Sequence, residues 1–536
     1  MLVAEAIGRA LAAHGVDVVF GLLGSGNLTV TNALRDAGAR FVSTRHEGGA
    51  ICAADGYGRV SGRLAACSVH QGPGLTNTIT GLTEAAKSRT PLLLLAADTP
   101  SAALRSNFRI DQVALVEAVG AVAERVHGPE TAMADVARAV RRARVERRAV
   151  VLMLPLDVQA GDCDPAMPPP GPELAPARPA AAAVDAAAAI LRAAERPAII
   201  AGRGAVLAGA GPALRALAER TGAILATSAV ANGLFAGDPF AVGIAGGFSS
   251  PVAARLLGEA DAVVAFGAAL NQWTTRHGTL IAPDAHVVQV DRDEEAIGAH
   301  RPVELGVLGD ARATAEALLD ALAGHSSDRR TPALADEIAA GAWSQVRYEE
   351  STTQLDPRTL SIALDDLLPA ARTVVVDSGH FMGWPSMYLR VPDAAGFVFP
   401  QAFQCVGLAL GNAIGAAVAR PDRLTVAALG DGGALLSLPE FETLGRLQLP
   451  MLVVIYDDAA YGAEVHHFRP MGQAVDLAQF PDTDFVGLAR AAGCHATTEL
   501  EDVRAWLQER DGPMVLDAKV DPDICAEWLE EAFRGH

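Results

Sequence analysis

Short apolar runs alternate with amphipathic stretches along most of the chain. In residues 1–160, runs such as "VDVVFGLLG", "ARFVSTRHE", "LAACSVHQGPG" and "TPLLLLAAD" are typical of buried strands, with helical periodicity between them. The alternation returns in "RPAIIAGRG", "ADAVVAFGAA" and "HVVQVDRD", and again in "TVVVDSG", "RLTVAALGDGG", "MLVVIYDD" and "PMVLDAKV". Strands that alternate with helices form parallel sheets covered on both faces. The pattern therefore predicts an α/β fold of three doubly wound parallel-sheet domains.

Two stretches without apolar periodicity separate these domains. The Pro- and Ala-rich segment 161–185 predicts a linker after an N-terminal domain of residues 1–160. Polar residues around "GHSSDRRTP" predict a second linker, 326–355, between a central domain (186–325) and a C-terminal domain (356–536). Three domains also fit the length of 536 residues, because one domain usually has about 100–200 residues.

Composition and charge narrow the class of partner. The apolar runs are too short to cross a bilayer, and the opening "MLVAEAIGRALAAHG" reads as an amphipathic helix without signal-peptide features. We therefore expect a cytoplasmic protein with no membrane partner. The formal net charge of −20, without a basic cluster, disfavours nucleic acid, which requires concentrated positive charge. The expected partner is a small molecule.

Two aspartates follow neighbouring apolar strands of the predicted C-terminal sheet. Asp431 lies in Gly-Asp-Gly after "LTVAAL", and Asp458 follows "MLVVIY". Ligands of open α/β sheets bind at the carboxyl ends of the strands, where glycines let phosphate groups approach the backbone. Carboxylate oxygens suit Mg²⁺, which often takes phosphate as a further ligand. The pattern predicts a magnesium-bridged diphosphate, although the same residues also fit an ordinary turn and a solvated strand end.

The interval from Asp431 to Asp458, with the "AAYG" that follows, resembles the thiamine-diphosphate motif of the acetolactate synthase and pyruvate decarboxylase superfamily. "STRHEGGAICAADGYGRVSG" (43–62) resembles that family's activating-glutamate segment, and "QGPGLTN" (71–77) its glycine-rich loop. "ADAVVAFGAAL" and "VVQVDRDEEAIG" resemble its central domain. The resemblance spans the whole chain, and within the superfamily the chain most resembles acetolactate synthase large subunits. It implies pyrimidine-binding, central and diphosphate-binding domains, with thiamine diphosphate and Mg²⁺ as cofactors.

The resemblance also assigns site residues. Mg²⁺ would be bound by Asp431, Asp458 and the backbone carbonyl of Ala460. The residues implied to contact the cofactor are Glu47, Ser378, His380, Gln404, Val406, Gly430, Gly432, Gly433, Asp458 and Tyr461. The family usually has Asn at the position of Asp458, so this chain would place an extra negative charge beside the diphosphate.

Two of these residues would shape the reactivity of the cofactor. Glu47 corresponds to the glutamate that hydrogen-bonds the aminopyrimidine ring and promotes its imino tautomer, which then removes the thiazolium C2 proton. The context of Glu47 favours this role over that of a surface glutamate at a helix N-terminus. Val406 occupies the position of the apolar wedge that bends the cofactor into its reactive shape, although valine is small for that role.

The substrate pocket departs from the family pattern. Acetolactate synthases have an arginine where this chain has Trp273, and Met, Val and Trp where it has Ala463, Glu464 and His467. We therefore expect a polar pocket, with His70, Glu464 and His467 as candidates for proton transfer. His70 also fits a structural role, and Glu464 and His467 also fit an exposed helix face. The same differences disfavour FAD, which true acetolactate synthases bind through the central domain, but leave it open.

The resemblance implies a decarboxylase and carboligase of 2-oxo acids, with pyruvate as the first donor to consider. "IDQVA" (110–114) also resembles benzaldehyde lyase, and "ALNQW" (269–273) resembles 2-hydroxyacyl-CoA lyase. These similarities leave open cleavage of a 2-hydroxy ketone or thioester, and a homologue that only binds the cofactor is a further alternative. In this superfamily the cofactor lies between the first domain of one subunit and the third domain of another, which implies a homodimer or homotetramer.

Overall fold

A computed structural model describes residues 1–166, 168 and 174–534 of the chain. It contains three six-stranded sheets, and every pair of neighbouring strands in them is parallel. The predicted fold class is therefore confirmed. Residues 167 and 169–173 of the predicted first linker lie outside the described residues.

The N-terminal sheet has the strand order β2-β1-β3-β4-β6-β5. Its strands are β1 (Val18–Gly21), β2 (Arg40–Ser43), β3 (Ala65–Val69), β4 (Leu92–Asp98), β5 (Val122–Arg125) and β6 (Ala149–Pro155). The helices are α1 (Val3–Ala13), α2 (Leu28–Asp36), α3 (Glu47–Ser61), α4 (Pro73–Thr76), α5 (Ile79–Lys87), α6 (Gln112–Ala118), α7 (Ala132–Val145) and α8 (Leu156–Gln159). Every residue of β4 is buried, as expected for a strand with helices on both faces.

The central sheet has the strand order β12-β11-β10-β7-β8-β9. Its strands are β7 (Pro197–Ala201), β8 (Ile224–Thr227), β9 (Ala241–Ile244), β10 (Ala262–Phe266), β11 (His286–Asp291) and β12 (Leu305–Leu308). The helices are α9 (Ala181–Ala193), α10 (Arg203–Leu207), α11 (Gly211–Thr221), α12 (Pro251–Gly258), α13 (Ala311–Ala321) and α14 (Pro332–Ala340). Helix α9 begins inside the predicted first linker, and α14 lies within the predicted second linker.

The C-terminal sheet has the strand order β14-β13-β15-β16-β18-β17. Its strands are β13 (Arg372–Val376), β14 (Phe397–Val398), β15 (Leu424–Gly430), β16 (Met451–Asp457), β17 (His495–Thr497) and β18 (Met514–Lys519). The helices are α15 (Pro357–Leu367), α16 (Gly383–Tyr388), α17 (Ala409–Ala419), α18 (Asp431–Leu436), α19 (Pro439–Leu447), α20 (Gly462–Phe468), α21 (Phe485–Ala491), α22 (Leu500–Glu509) and α23 (Trp528–Ala532). Counted from its own first strand, this sheet repeats the order of the N-terminal sheet.

The shared strand order places a crevice at the same point in both sheets. In each, the first strand lies between the second and third, so the order reverses there, and ligands of open α/β sheets bind at such a reversal. In the C-terminal domain, Asp377 and Asp431 follow the two strands at that point. In the N-terminal domain, His70 follows β3, and Glu47 begins the helix after β2.

Helices α3 and α17 join the N-terminal and C-terminal domains at close range. A Cβ atom at Gly415 would overlap the carbonyl oxygen of Ala53, and one at Gly56 would overlap the carbonyl oxygen of Asn412. The two backbones can therefore touch only because these positions have no side chain. Around this contact, one buried apolar cluster contains residues of both domains.

Across the described ranges, the structure contains no helix with both the length and the apolar character needed to cross a bilayer.

The α3–α17 contact gives a prediction about stability. Gly415→Ala should destabilise the protein by about 1–3 kcal/mol, because an added methyl group cannot enter a packed contact without backbone shifts. Gly258→Ala is the matched control, since a Cβ at this helical glycine would meet open space. The measurement is the urea midpoint of both variants. A Gly415→Ala midpoint equal to that of Gly258→Ala would contradict the close contact.

Candidate active site

Two buried aspartates meet at the carboxyl edge of the C-terminal sheet. The parallel register of β15 and β16 pairs Gly430 with Tyr456, which brings the following Asp431 and Asp458 to the same edge. Burial raises the pKa of Asp431 to about 7, and the charge of Asp457 adds to the rise. Burial likewise raises the pKa of Asp458 to about 7, with repulsion from Asp431 as the next cause. The pair holds negative charge that a divalent cation would neutralise.

The nearest histidine does not neutralise this pair. His380 Nδ1 lies 4.0 Å from Asp458 Oδ2. Burial, and then the neighbouring His466, lower the pKa of His380 to about 3, so its ring is neutral at ordinary pH. Its Nε2 accepts the backbone N–H of Ala526 at 2.8 Å, which fixes the proton on Nδ1. This ring can therefore donate a hydrogen bond to an oxygen at the aspartate edge.

The donor set fits Mg²⁺ better than zinc. In the part of the chain that the structure describes, no three His, Cys, Asp or Glu side chains are grouped as a metal cage. The turn after β16 offers Asp458, whose Oδ1 accepts the N–H of Ala460 at 3.2 Å, and the carbonyl of Ala460. Mg²⁺ is usually bound by one or two carboxylates while water or phosphate completes its octahedron. The edge therefore suits a magnesium ion shared with a phosphate ligand.

The glycine turn that begins α18, residues 430–433, has no room for side chains. A Cβ at Gly433 would overlap Asp377 Oδ2 and lie 3.4 Å from Val406 Cγ1. A Cβ at Gly432 would lie 2.9 Å from the ring of Tyr461. With Gly430 as the residue before the helix, the turn exposes backbone rather than side chains, which is the arrangement that phosphate groups require.

Three predicted cofactor contacts lie on open surface around this turn. Gln404 is exposed and has a left-handed backbone, with φ at +54°. Val406 is 36% exposed, and Tyr461 is 50% exposed with its ring edge-on to Phe480 at 4.8 Å. Ser378 is half-buried directly after Asp377. The structure therefore groups these predicted residues around Asp431 and Asp458.

A second group lies in the N-terminal domain. Glu47 begins α3, and its Oε2 accepts a hydrogen bond from the Asn77 side chain at 3.0 Å. His70 Nδ1 accepts the backbone N–H of Gly26 at 3.1 Å, and its ring meets Phe108 edge-on at 5.2 Å. Burial lowers the pKa of His70, and the charge of Glu47 opposes this shift. Glu47 and His70 thus belong to one electrostatic group.

No hydrogen bond or ion pair between described residues joins the Glu47–His70 group to the Asp431–Asp458 group within one chain. Each group is bordered by exposed apolar side chains instead. Those beside Glu47 and His70 in sequence or structure are Leu23, Leu28, Leu104, Phe108 and Ile110, and those near the aspartates are Phe403, Val406, Leu435, Leu436, Tyr461 and Leu477. Grouped exposed apolar side chains are typical of interaction surfaces.

Helix α20 brings a different histidine to the aspartate edge from the one we predicted. The ring of His466 stacks on His380 at a centroid distance of 4.4 Å. Glu464 is exposed, and His467 stacks on Phe533 at 4.0 Å. Neighbouring helix residues point about 100° apart, so only one of the two histidines can face the aspartate edge. The letters "HH" do not show which one it is. Catalytic roles for Glu464 and His467 stay predictions.

Trp273, which the resemblance implies to border the substrate pocket, lies among aromatic rather than polar side chains. Its ring packs over Gly247, where a Cβ would overlap it, and lies edge-on to Phe248 at 5.1 Å and to Trp528 at 5.5 Å. The nearby Arg276 donates to the backbone oxygens of Gly246 and Ser249. Its guanidinium is therefore used to hold the loop that lies under Trp273.

Asp377 lies at the site but is not among the residues predicted from the sequence. This buried carboxylate accepts the backbone N–H groups of Gly407, Leu408 and Ala409 at 2.8–3.3 Å. Burial raises its pKa to about 6, and these hydrogen bonds limit the rise. The signal was available, because Asp377 follows an apolar strand and precedes a glycine turn, as Asp431 does.

The aspartate pair gives a prediction for the metal-free protein. A carboxyl group with a raised native pKa loses stability as pH rises, because the native state holds its proton longer than the unfolded state. In chelator-treated buffer, the stability of Asp458→Asn relative to wild type should therefore grow between about pH 4 and 7, the range between the unfolded and the folded pKa of Asp458, and reach about 1–2 kcal/mol.

Denaturant unfolding at several pH values measures this difference. Asp36→Asn, at an exposed aspartate of the N-terminal domain, is the control and should follow wild type. Millimolar Mg²⁺ should restore most of the wild-type stability at pH 8. Identical pH profiles for Asp458→Asn and wild type would mean that the two carboxylates do not repel each other in the folded protein.

Comparison with known proteins agrees with this geometry. Family models of thiamine pyrophosphate (thiamine diphosphate) enzymes match three parts of the chain: the N-terminal TPP binding domain at residues 1–117, the central domain at 184–318, and the C-terminal TPP binding domain at 377–518. All three fall inside the domains seen in the structure.

Several curated relatives match along almost their whole length. Sulfoacetaldehyde acetyltransferase of Castellaniella defragrans is 30% identical over all of this chain and 95% of its own, and that of Alcaligenes xylosoxydans xylosoxydans is 29% identical over all of this chain and 94% of its own. Acetolactate synthase isozyme 2 large subunit of Escherichia coli (strain K12) is 29% identical over 97% of this chain and 95% of its own. The chain therefore belongs to the thiamine diphosphate enzyme family and is an enzyme that forms or cleaves carbon–carbon bonds.

Proposed function

We propose that the enzyme decarboxylates a 2-oxo acid, with pyruvate as the first donor to test, and transfers the remaining unit to an acceptor. The observation that carries the proposal is the position of Glu47, at the start of α3 with its carboxylate held by Asn77. A homologue that had lost catalysis would have no need to keep this glutamate in place.

The residues divide into two roles. Asp431, Asp458 and the Ala460 carbonyl would hold Mg²⁺, while the turn at Gly430–Gly433 and the neutral His380 would hold the diphosphate. Glu47 would exchange a proton with the aminopyrimidine ring. When bound, thiamine diphosphate supplies a carbanion that attacks the carbonyl carbon of the donor.

The complete site would need two subunits. Glu47 and the aspartate pair have no hydrogen bond or ion pair between them within one chain, as far as the described residues extend, and both groups border exposed apolar side chains. A two-fold dimer can cover both surfaces at once, because each copy offers both patches. We therefore propose a homodimer as the smallest active form, and a homotetramer would contain the same pairing.

The identities of the donor and acceptor substrates remain to be determined by experiment. The aromatic group around Trp273 offers no cation for an acceptor carboxylate, which favours a neutral or differently bound acceptor. The relatives named sulfoacetaldehyde acetyltransferase make sulfoacetaldehyde a second donor to test. Cleavage of a 2-hydroxy ketone or 2-hydroxyacyl thioester remains the alternative reaction. The visible absorption of the purified protein tests whether FAD is bound.

A proton NMR time course tests the reaction. With thiamine diphosphate, Mg²⁺ and pyruvate, wild type should form acetolactate, acetoin or acetaldehyde, and Glu47→Gln should be slower by at least about a hundredfold, because general acid–base groups contribute about 10²–10⁴-fold. Parallel samples contain sulfoacetaldehyde in phosphate buffer, or benzoin as a 2-hydroxy ketone.

The outcomes separate the alternatives. Consumption of benzoin but not pyruvate would replace the decarboxylase proposal with a lyase. If no donor is consumed, exchange of the cofactor's C2 proton in heavy water decides the question. Exchange no faster than in free solution would identify a homologue that only binds the cofactor.

Subunit mixing tests the shared site. Glu47→Gln and Asp431→Asn should each be inactive alone. After the two variants are unfolded and refolded together, about one quarter of the wild-type rate should return, because half of the dimers are mixed and each has one intact site. Refolding two samples of the same variant is the control. No recovery from a mixture that contains mixed dimers would show that both residues act within one chain.

A further inference from the structure

The segment 399–409, called here the wedge segment, has an unusual backbone. It contains no helix or strand before α17 begins at Ala409. Gln404 and Gly407 have left-handed backbones, with φ at +54° and +88°. A non-glycine residue in this region costs about 1–2 kcal/mol, so the conformation persists only if surrounding groups hold it.

Glu84, on α5 of the N-terminal domain, holds one end of the wedge segment. Its Oε2 accepts the backbone N–H of Phe403 at 2.7 Å. Its Oε1 accepts hydrogen bonds from Arg59 at 2.7 Å and from Ser88 at 2.8 Å. Arg59 also donates to the carbonyl oxygen of Phe399 at 3.4 Å. Two charged side chains of one domain therefore bind the backbone of another.

Asp377 holds the other end. Its carboxylate accepts the N–H groups of residues 407–409, at the start of α17. Residues 404–406 lie between the two carboxylates, and Gln404 and Val406 are exposed. Val406 lies close to the glycine turn at Gly433. The position of Val406 thus depends on a carboxylate from each of two domains.

The Glu84 end belongs to a buried, balanced set of charges. Arg59 pairs with Asp55 and Glu84 at 2.7 Å each, and all three are almost fully buried. The half-buried Arg203 of the central domain donates to Thr90 beside them. Burial, and then the charge of Arg59, lower the pKa of Arg203 to about 10, and Asp55 and Glu84 oppose this shift. Buried charges are costly unless they are paired, so loss of one carboxylate would leave an arginine uncompensated.

We propose that Glu84 is a positioning residue, which fixes Phe403 and thereby sets the place of Val406 against the cofactor. The contact with the segment is a property of the chain itself, and the effect on the cofactor rests on the proposed function. Glu84→Gln is the informative substitution. Its amide oxygen can accept from Phe403 or from Arg59, while its NH₂ group would face whichever donor remains.

Glu124→Gln is the matched control. Glu124 is also a buried glutamate of the N-terminal domain and pairs with two arginines, Arg138 at 2.8 Å and Arg142 at 3.0 Å. It makes no hydrogen bond to the wedge segment. Glu124→Gln should cost less overall stability, because Arg138 and Arg142 are 43% and 35% exposed and Arg59 only 6%. Only Glu84→Gln should loosen residues 399–409.

The first measurement is amide hydrogen exchange of the cofactor-free protein. Loss of a charged buried hydrogen bond should speed exchange in the peptide that spans residues 399–409 by about ten- to a hundredfold in Glu84→Gln. The same peptide in Glu124→Gln should exchange as in wild type. Equal exchange in the two variants would overturn the proposal.

The second measurement is the affinity for thiamine diphosphate. The cofactor is titrated into protein that contains Mg²⁺, and binding is monitored by fluorescence. Glu84→Gln should bind about tenfold more weakly than Glu124→Gln. If Glu84 acts through Val406, the same substitution in a Val406→Ala background should have much less effect. If Glu84→Gln weakens cofactor binding in the Val406→Ala background as much as it does in wild type, Glu84 does not act through Val406. Failure of wild type to bind the cofactor would instead refute the proposed function and leave the exchange result valid.

Discussion

The contact between helices α3 and α17 is the constraint on which the rest of the structure depends. Glycines bring the two helix backbones together, so the N-terminal and C-terminal domains meet with little freedom to slide. Glu47 begins one of these helices, and the wedge segment leads into the other. A single close contact therefore sets the positions of the groups to which we assign the start of the chemistry and the shaping of the cofactor.

Buried charge is used in two different ways. Around Arg59, two arginines and two carboxylates balance each other and bind backbone groups, which makes the set structural. Asp431 and Asp458 form no ion pair with a described lysine or arginine, although the charge of Lys519 opposes the rise in the pKa of Asp431. The neutral His380 beside them adds no positive charge. In metal-free protein the two carboxylates repel each other and destabilise the fold. A bound metal ion would remove this repulsion, which strengthens its binding to the folded state.

The three sheets and the aspartate edge of the site could be predicted from the sequence, because both depend on short stretches of neighbouring residues. Central strands such as β4 and β16 are seven-residue apolar runs that periodicity identifies, whereas β9, β12 and β14 are short edge strands with weak patterns. Asp431 and Asp458 could be found because both follow central strands. Glu84 could not, because its role depends on contact with Phe403, 319 positions away. The sequence could not show either that His466, and not His467, lies at the aspartate edge, because this depends on the direction in which the helix points each ring.

The repeated strand order explains why neither terminal domain suffices alone. Each of the two sheets has a reversal of strand order beside its first strand and therefore a crevice at that point, and the two crevices differ in charge. The C-terminal crevice collects carboxylates and glycine backbone, which suit a metal ion and phosphate. The N-terminal crevice keeps one glutamate and one largely neutral histidine, which suit proton transfer. A cofactor with a charged tail and a basic ring needs both environments at once. The α3–α17 contact fixes how the two domains of one chain face each other. In the homodimer that we propose, a second chain would bring the two kinds of crevice together.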